Sequence, residues 1–586
     1  MKKLTACMLL GLMVGCSSSA GPAGAGAAGS AGQVASGPIT LTIIGTNDLH
    51  GAMLPDDGRG GLALLGGYLN NLRAVRAREG GAVLLVDAGD MWQGTMESNL
   101  TEGAVVVQAY EALGYAAVTI GNHEFDFGPV GPSATPVQPG DDPRGALKAR
   151  AAEAGFPFLA ANIIEAETSR PIDWPNMRPS VVTEVAGVKV GLIGVTTRES
   201  LNATIAANTR GLRIAPLAAS VVEQAESLRA SGATVIVVTA HAGGTCREFV
   251  TTDLTACDAS AEIFEVARAL PAGLVDVIVA GHTHAGIAHE VAGIAVIEAF
   301  ARGQSFGRVD LTIDRATGRP STRTLFPPEP VCAFQDAETS RCVPASFAGA
   351  RAVSEYAGAV VEPDPAVDAL VRAAAEATER LKHTPLGIVA DTPLPVRGAV
   401  ESPLGNLFVD ALLAAVPDAD VAINNTSGGL RADLPAGPVT YGALFDVFPF
   451  DNRLARLTLT GAELRRVFTA QLEGTTRLVG VAGLRVAAAC GGRQLRVTMM
   501  RPSGAEVRDA DRLIVATTDF LAIGAMFRRV APPDGFVIPA GAPIVRDIVA
   551  EQLGRRGGRL RADDLVDPER PRWPPASTLP MRCGAV

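Results

Sequence analysis

The sequence predicts an α/β fold, and two features carry that prediction. Short apolar runs such as LTIIG, AVLLVD and TVIVVTAH are typical of buried strands, and between residues 39 and 330 they alternate with helical stretches such as LALLGGYLNNLRAVRAR. Many of these runs end in a polar cluster, and α/β sheets bind their ligands at the carboxyl ends of strands. We therefore expect a sheet-based N-terminal domain with its functional site along one edge.

The N-terminus has the pattern of an export signal. Lys2 and Lys3 precede an apolar run that is too short to span a bilayer, and the pair Gly15 and Cys16 resembles a bacterial lipobox. We expect residues 1–16 to be a lipoprotein signal peptide whose Cys16 carries the lipid anchor, and residues 17–38 to be a flexible Gly/Ala/Ser tether. This predicts a membrane-anchored protein of the periplasm or cell surface. Simple secretion is the alternative, because Met13 stands where that motif usually has leucine.

Length and charge limit the remaining possibilities. A chain of 586 residues is too long for one core. The net charge of −10 argues against a nucleic-acid polymer as the main partner, since phosphate backbones need a basic footprint. A small anionic substrate stays compatible with this charge if local cations or metal ions offset it.

Six of the eight cysteines lie outside the predicted signal peptide, an even number that fits an exported chain. Six cysteines allow 15 pairings. Short separations favour Cys246 with Cys257 and Cys332 with Cys342, which leaves Cys490 for Cys583. A zinc cluster is the competing interpretation, and the lack of any C-x-x-C argues against it.

The second half of the chain predicts a connector and a smaller domain. Residues 331–384 contain the helical run DPAVDALVRAAAEATERLKHT and are expected to form the connector. Residues 385–570 mix strand-like runs such as LARLTLTG with helices such as LGNLFVDALLAAV, and predict a second domain. The tail, residues 571–586, is expected to be irregular and tied down through Cys583.

The polar clusters at the strand ends of the first domain share carboxylates, amides and imidazoles. Five of the seven histidines lie in them. One histidine at a strand end is usually structural, but five in the same context predict a metal centre, since mixed carboxylate and imidazole ligands suit zinc, manganese or iron and a shared carboxylate can build a two-metal site. The clusters are TNDLHG with Asp48 and His50, VDAGD with Asp87 and Asp90, GNHEFD with Asn122 and His123, TAHAGG with His241, and AGHTHAG with His282 and His284.

The order D-x-H, G-D, G-N-H-E, His and G-H-x-H resembles the calcineurin-like metallophosphoesterases. The second domain carries NTSGGLRADLPAG, VTYGALFDVFPFDN and TTDFLAIG, which resemble the C-terminal domain of the bacterial periplasmic 5′-nucleotidase family. The resemblance implies a four-layer αββα sandwich that holds the metals at 39–330, followed by a smaller α+β substrate-binding domain at 385–570, with the active site between them.

The family motifs also imply a ligand set for two divalent ions, zinc, manganese or similar. Asp90 is implied as the bridge, and Asp87 in the same motif is its rival, which we expect to be structural. One ion is implied to bind Asp48, His50, Asp90 and His284, and the other to bind Asp90, Asn122, His241 and His282.

The stretch GNHEFDFG is implied to supply a catalytic dyad of His123 and Asp126. By this likeness a metal-activated water attacks phosphorus, while a protonated His123 stabilises the transition state and helps the alkoxide leave. Glu124 is expected to be a structural carboxylate at a helix N-terminus.

In the second domain the resemblance implies that Arg431 binds substrate phosphate and that Phe450 and Phe520 stack on a base. Without it, the arginine is a surface residue and both aromatics are core residues. Thr426 and Met526 stand where the family usually has an asparagine and a ribose-binding aspartate, which predicts a relaxed preference for the nucleoside.

Together these features predict an exported dinuclear-metal phosphoesterase that hydrolyses nucleotide phosphoesters. Two alternatives stay open. One is the same metal chemistry on a non-nucleotide phosphoester or a related anion such as a sulfate ester, and the other is a lipoprotein that binds an anion without turnover.

Overall fold

Two mixed β-sheets form the centre of the N-terminal part in the computed structural model of the chain. The structure describes residues 37–249, 254–396, 401–426, 428–475, 478–530, 536–539 and 541–583. The predicted signal peptide, Cys16 and nearly all of the predicted tether therefore lie outside the described residues. Among the described helices none is both long and apolar enough to cross a membrane.

The N-terminal part alternates strands and helices as the sequence predicts. Its strands are β1 Ile39–Thr46, β2 Ala82–Asp87, β3 Ala117–Thr119, β4 Phe158–Leu159, β5 Ile163–Glu165, β6 Met177–Arg178, β7 Ser180–Val185, β8 Val188–Thr196, β9 Leu212–Ile214, β10 Val235–His241, β11 Val277–Ala280, β12 Gly286–Val291, β13 Ile294–Ala299, β14 Ser305–Ile313 and β15 Pro320–Pro330. Its helices are α1 Leu62–Arg78, α2 Met96–Asn99, α3 Ala104–Leu113, α4 Gly145–Glu153, α5 Leu217–Ala230 and α6 Glu262–Ala269.

Thirteen of these fifteen strands form a seven-stranded sheet of order β15-β14-β1-β2-β3-β4-β6 and a six-stranded sheet of order β12-β13-β11-β10-β8-β7, and β5 pairs with β9. Strands β1, β2, β3 and β4 run parallel in the first sheet, and β8, β10, β11 and β13 run parallel in the second. The carboxyl ends of β1, β2 and β3, and those of β10 and β11, therefore lie along common edges.

Apolar side chains of both sheets meet in one buried layer that includes Ile43 and Val86 from the first sheet and Val190 and Val237 from the second. Helices α1 and α3 cover the outer face of the first sheet, and α5 and α6 cover the outer face of the second. Helix α1 illustrates the cause, because Leu62, Leu65, Leu69 and Leu72 recur on one face at helical spacing and are all buried. The predicted four-layer αββα arrangement is confirmed.

The connector contains β16 Phe334–Asp336, β17 Arg351–Val353, β18 Glu355–Tyr356, β19 Ala359–Val360 and α7 Pro365–Lys382. Helix α7 begins after Asp364, whose carboxylate accepts hydrogen bonds from the amides of Ala366 and Val367. Val367 and Val371 of α7 pack into the same apolar cluster as α1 and α3, so the helix joins the outer layer of the sandwich.

The C-terminal part has two smaller sheets and one isolated hairpin. Its strands are β20 Pro385–Ala390, β21 Val421–Asn424, β22 Gly437–Thr440, β23 Leu454–Thr460, β24 Gly480–Ala482, β25 Arg485–Gly491, β26 Gln494–Met500, β27 Arg512–Thr518, β28 Phe536–Val537 and β29 Gly558–Leu560. Its helices are α8 Pro403–Ala415, α9 Tyr441–Val447, α10 Gly461–Gly474, α11 Asp519–Ile523, α12 Ala525–Arg528 and α13 Val545–Arg556.

The five-stranded sheet of order β24-β21-β27-β23-β28 is covered on both faces. Helices α8 and α13 belong to one apolar cluster and α10 to the other. The start of α10 follows from its sequence, because Thr460 and Glu463 form a capping box in which each side chain accepts a hydrogen bond from the other's backbone amide.

The structure joins Cys246 to Cys257, Cys332 to Cys342 and Cys490 to Cys583, so the predicted pairing is confirmed. His289 lies 3.4 Å from the Cys257 sulfur, but both thiols of that pair are consumed by the disulfide and neither is a thiolate ligand. The predicted attachment of the tail through Cys583 is also confirmed.

Candidate metal centre and active site

The loops at the carboxyl ends of five strands bring all seven predicted metal ligands together. The sandwich places the ends of β1, β2 and β3 opposite those of β10 and β11, so residues far apart in the chain meet at one edge. Asp48 and His50 follow β1, Asp90 follows β2, Asn122 follows β3, His241 ends β10, and His282 and His284 follow β11.

One group of side chains gathers around His50. Its Nε2 lies 3.0 Å from His284 Nε2 and 3.9 Å from Asp90 Oδ2. His284 Nε2 is in turn 3.4 Å from Asp48 Oδ1. These are the four side chains that the family resemblance implies as ligands of one ion.

A second group gathers around Asn122. Its Oδ1 lies 3.0 Å from His241 Nε2 and 3.1 Å from His282 Nδ1. His241 Nε2 is 3.2 Å from Asp90 Oδ2. The same oxygen of Asp90 therefore faces both groups, as a bridging carboxylate does.

The two groups fit divalent ions. Ligand atoms that sit about 2.1 Å from an ion lie roughly 3.0 to 3.4 Å from one another in octahedral or tetrahedral geometry, and most of the distances above fall in that range. Asp48 Oδ1 is buried and has no hydrogen-bond partner among the described residues. A buried carboxylate oxygen without a partner is costly unless a cation is bound there.

Backbone carbonyls orient two of the imidazoles. His50 Nδ1 lies 2.9 Å from the carbonyl oxygen of Gln93, and His241 Nδ1 lies 2.9 Å from that of Ala88. Because a carbonyl oxygen only accepts, each Nδ1 carries a proton and each Nε2 is left facing the centre. Such a partner holds a metal-binding histidine in the correct tautomer.

The carboxylates are held in the same way. Asp48 Oδ2 accepts hydrogen bonds from Asn47 Nδ2 at 2.7 Å and from the His282 amide at 2.8 Å. Asp90 Oδ1 accepts from the His123 amide at 2.8 Å. In each carboxylate one oxygen is fixed by the protein and the other is turned to the predicted metal site.

Five of the seven predicted ligands have backbone φ angles in the left-handed region. The residues are Asp48, His50, Asp90, His282 and His284, with φ between 50° and 76°. Such conformations cost a non-glycine residue about 1 to 3 kcal/mol each and persist where the surrounding structure imposes them, often at functional sites. Here the interleaved loops impose them, because the amides of Asp48 and His50 bond to the carbonyls of Gly89 and Asp90.

Burial and the charges of neighbouring groups shift the pKa values of the imidazoles, and the direction of the shift differs from one histidine to the next. Burial lowers the pKa of His50 to about 3, and burial together with the charge of His241 lowers the pKa of His282 to about 4. Burial also disfavours charge on His241, but the Asp90 carboxylate outweighs it and raises the pKa of His241 to about 10. His50 and His282 are therefore neutral at pH 7, the state in which imidazoles bind metal ions, whereas His241 carries a proton that a bound ion would displace.

Asp87 has a different environment from Asp90. Its Oδ2 accepts hydrogen bonds from Thr46 Oγ1 at 2.6 Å and from the Tyr110 hydroxyl at 3.0 Å, and its Oδ1 accepts from the Gly89 amide. Burial raises the pKa of Asp87 to about 7. These contacts tie the end of β2 to β1 through Thr46, to helix α3 through Tyr110 and to the following loop through Gly89, which supports the structural role expected for Asp87.

Two buried glutamates tie the ligand loops together. Glu124 lies in the short 3-10 turn His123–Phe125, and its carboxylate accepts from the amides of Gly121, Asp90 and Met91. Glu298 accepts from Thr283 Oγ1 and the Ala285 amide, and so holds the loop of His282 and His284. Burial and the nearby Asp90 charge raise the pKa of Glu124 to about 8.

His123 and Asp126 form the hydrogen-bonded pair that the sequence predicts. His123 Nδ1 lies 2.5 Å from Asp126 Oδ2. Burial opposes charge on His123, but the carboxylates of Asp126 and Asp90 outweigh it and raise the pKa of the imidazole. Thr204 Oγ1 donates to Asp126 Oδ1 at 2.7 Å, a contact that no motif in the sequence indicates.

A cavity of about 570 Å³ separates this centre from the C-terminal part. One wall carries Asp90, Asn122, His123, His282 and His284. The opposite wall carries the three predicted substrate-binding residues, Arg431, Phe450 and Phe520. The cavity thus has a polar end at the metal groups and an aromatic end in the C-terminal part.

Arg431 and Phe450 reach across towards the dyad. A guanidinium nitrogen of Arg431 lies 3.4 Å from His123 Nε2, and the guanidinium carbon is 5.2 Å from the centre of the Phe450 ring. The Phe450 and His123 rings are 6.0 Å apart between centres. A phosphate at this end of the cavity would therefore meet a guanidinium and an imidazolium that lie side by side.

Sequence reasoning missed some residues of the aromatic end. Asn425 and Asn452 line the cavity, and Asn452 Nδ2 donates to Asp519 Oδ1 at 3.1 Å. Thr426 and Met526 are not among the lining residues, because Thr426 Oγ1 turns to the Leu478 carbonyl and Met526 packs against an apolar cluster. The pair Asp451 and Asn452 directly after FPF was the one sequence feature that could have indicated Asn452 as a lining residue.

Comparison with family models agrees with this architecture. Residues 41–286 match the model described as calcineurin-like phosphoesterase, and residues 380–527 match the model of the 5′-nucleotidase C-terminal domain. Together they include the metal groups, the dyad and all the lining residues of the C-terminal wall.

Named relatives match most of the chain. The 5′-nucleotidase of Vibrio cholerae is 25% identical over 451 residues, 72% of this chain and 74% of that protein. Endonuclease YhcR of Bacillus subtilis is 28% identical over 451 residues, 74% of this chain. The matches span only 33% of that endonuclease and 59% of the cell wall protein Lmo0130 of Listeria monocytogenes.

Solved structures share the fold. The 5′-nucleotidase precursor from Thermus thermophilus superposes with a TM-score of 0.66 over 89% of this chain and 97% of that chain, at 24% identity. The sulfate thiohydrolase SoxB from the same genus superposes with a TM-score of 0.61 at 19% identity. By its two family matches the chain belongs to the calcineurin-like phosphoesterases, in the form that carries a 5′-nucleotidase C-terminal domain.

Proposed function

We propose that this protein is an exported phosphoesterase that uses two divalent metal ions to hydrolyse nucleotide phosphoesters. The observation that carries the proposal is the cavity with two unlike walls. A nucleotide has an anionic end and an aromatic end, and the cavity offers metal groups and cations to the first and phenylalanine rings to the second.

In this proposal Asp48, His50, Asp90 and His284 hold one ion, and Asp90, Asn122, His241 and His282 hold the other. Zinc, manganese or a similar ion suits these donors. When bound, such ions lower the pKa of a water molecule and balance the charge on phosphoryl oxygens.

The protein's own groups then orient and protonate the substrate. Asp126, anchored by Thr204, holds the His123 ring so that its Nε2 faces the cavity, and the raised pKa keeps the imidazole protonated. His123 therefore stabilises negative charge on the phosphoryl group and gives its proton to the departing alkoxide. Arg431 binds the phosphate, and Phe450 and Phe520 stack on the base.

The domain assignment is part of the proposal. Residues 39–330 form the metal-binding domain, 331–384 the connector, 385–570 the substrate-binding domain and 571–586 the tail. Two observations support the division between the sandwich and the C-terminal part. The apolar clusters of the sandwich and of the C-terminal part share no residue, and the two family models match separate segments.

Export and lipid anchoring rest on residues 1–38 and on the disulfides. Three disulfides fit an oxidising compartment, the periplasm or the cell surface. We propose that Cys16 carries the lipid, with secretion as the outcome if it does not. A Cys16→Ser variant that stayed in the membrane fraction would contradict the anchor.

Two other functions compete with nucleotide hydrolysis. The metal end alone would serve any small phosphoester or related anion, and SoxB shares the fold, but a small anion has no use for the aromatic wall. A binding lipoprotein would use the charges but not the pair of His123 and Asp126, which acts on a leaving group.

The deciding experiment measures phosphate release from 5′-nucleotides, aryl phosphates and alkyl phosphates by the purified mature chain, with and without a chelator. We expect chelator-sensitive release with the highest kcat/KM for a nucleotide. Release that is fastest from a simple ester would favour the first alternative, and binding without release would favour the second.

A further inference from the structure

One carbonyl oxygen joins the two walls of the cavity. The carbonyl of Pro449, in the loop after α9, accepts a hydrogen bond from Gln93 Nε2 at 3.0 Å and another from Asn99 Nδ2 at 3.0 Å. Gln93 and Asn99 belong to the loop after β2 and to α2 of the sandwich, and they are only 3% and 8% exposed. Two buried amides of the metal-binding part thus hold one backbone group of the C-terminal part.

Each of the two residues makes a second contact. The backbone carbonyl oxygen of Gln93 is the partner of His50 Nδ1 at 2.9 Å, and the side-chain oxygen Oδ1 of Asn99 accepts from the Gly94 amide at 3.0 Å. On the other side, Pro449 immediately precedes Phe450, whose ring lines the cavity. A short chain of contacts therefore runs from a predicted metal ligand through Gln93 and Pro449 to the aromatic wall.

We propose that Gln93 and Asn99 are positioning residues that set the distance between the phosphate end and the aromatic end of the cavity. They thereby determine specificity for substrates that span both ends, a phosphate joined to a nucleoside, over simple phosphate esters. The inference rests on the proposed function, because it takes the Phe450 ring to stack on a base.

The physical reason lies in joining two binding groups in one molecule. The second group of a joined ligand binds without a further loss of translational freedom, but only when the two subsites are spaced to match the ligand. A misplacement of about 1 Å can cost a factor of about 10² in rate. A nucleoside alone or a phosphate alone touches one subsite and does not sense the spacing.

The test uses Gln93→Met, Asn99→Asp and the double variant in the full mature chain. Gln93→Met removes the donor and keeps the backbone carbonyl that holds His50. Asn99→Asp keeps the acceptor for the Gly94 amide and replaces the donor by an oxygen that repels the Pro449 carbonyl. Since both donors meet one oxygen, each variant tests the same contact independently if the other fails to fold.

Four quantities are measured for each variant. They are kcat/KM for a purine 5′-nucleotide, kcat/KM for p-nitrophenyl phosphate, the inhibition constant of the free nucleoside and the bound metal per chain. We expect kcat/KM for the nucleotide to fall about tenfold in each single variant and further in the double variant. The cause is the loss of one hydrogen bond to Pro449 and the misplacement of the aromatic wall that this loss allows. The other three quantities should stay within about twofold of wild type.

The matched control is Asn71→Asp, the same chemical change at an amide that donates to the carbonyls of Ala359 and Val360 outside the cavity. It should leave all four quantities unchanged.

Three results would overturn the inference. The first is an equal fall in kcat/KM for both substrates with loss of metal, which would mean that Gln93 acts only through His50. The second is weaker inhibition by the nucleoside, which would mean damage to the aromatic wall. The third is an unchanged kcat/KM for the nucleotide. Failure of the proposed function is distinct, because it appears in the wild type as no preference for the nucleotide.

Discussion

The two ends of the cavity differ in how many contacts hold their side chains in place. At the metal end the predicted ligands share buried loops, carry second contacts that fix their orientation, and in five cases adopt a strained backbone conformation. At the aromatic end Phe450 and Phe520 are partly exposed, and the side chain of Asn452 makes one hydrogen bond among the described residues, to Asp519. The amide of Asn424, also on this wall, has no hydrogen-bond partner among the described residues.

The difference teaches which part of the site tolerates change. A ligand that is held by several contacts to other ligands cannot be altered without disturbing its neighbours, so substitutions at the metal end act on the whole centre. Side chains of the aromatic end act more independently, so substitutions there change selectivity while the chemistry continues.

The strongest test of this contrast is Asp90→Ala. Loss of the shared carboxylate weakens both groups, so we expect no detectable hydrolysis and fewer than two bound metals per chain. The matched control is Asp87→Asn, an isosteric change in the same VDAGD motif that keeps an acceptor for the Gly89 amide. If Asp87→Asn were inactive and Asp90→Ala nearly normal, the assignment of the bridge would be wrong.

His123→Ala should have the next largest effect. We expect kcat to fall by about 10² to 10⁴ while two metals per chain stay bound, because the imidazole acts on the transition state. Metal analysis of the purified variant is the decisive measurement, since His123 also lies near His50 and Asp90 in a geometry that could hold an ion. A variant with only one metal would make His123 a ligand.

At the aromatic end, Asn452→Leu should change selectivity and not the chemistry. The ratio of kcat/KM for a 5′-nucleotide to that for an aryl phosphate should fall about 2- to 10-fold, the worth of one hydrogen bond. Met526→Leu is the control, because Met526 packs in an apolar cluster and does not line the cavity. An equal fall for both substrates would show that Asn452 supports the metal end instead.

The smallest effect is expected at Asp519, a buried carboxyl for which the charge of Arg453 and the hydrogen bond from Asn452 offset only part of the cost of burial. Burial raises the pKa of Asp519 in the folded state to about 6. The folded protein therefore binds this proton more tightly than the unfolded chain does, and stability is lost as pH rises from about 4 through about 6. Asp519→Asn removes this dependence. In thermal melts, the Tm of the Asp519→Asn variant should therefore fall by a few degrees less than the Tm of wild type between pH 4.5 and 7.5. Parallel declines would contradict the raised pKa.

Much of the fold followed from local sequence. The run LALLGGYLNNLRAVRAR forms helix α1 over its full length, and VIVVTAH forms strand β10. Both patterns are periodic and continuous, so the few residues around each position suffice to predict the element. The short-range cysteine pairs were predictable for the same reason, since a separation of 10 or 11 residues limits the partners.

The candidate site was predictable only as a set of residue types at strand ends. Sequence by itself determined that carboxylates and imidazoles follow β1, β2, β3, β10 and β11, because the signal of each strand and of the polar cluster after it is local. The family motifs then named Asp90 over Asp87. Nothing in the local sequence distinguishes them, since both are aspartates of the short motif VDAGD and both are buried.

Tertiary structure alone decided what surrounds each of these groups. Asp87 turns to Thr46 and Tyr110 while Asp90 turns to His241, and Thr204 reaches Asp126 across 78 residues of sequence. Gln93 and Asn99 meet Pro449 from more than 300 residues away. No periodic pattern in the sequence predicts such contacts. Each depends on how the two sheets of the sandwich pack with each other and with the C-terminal part, and that packing is a property of the whole chain.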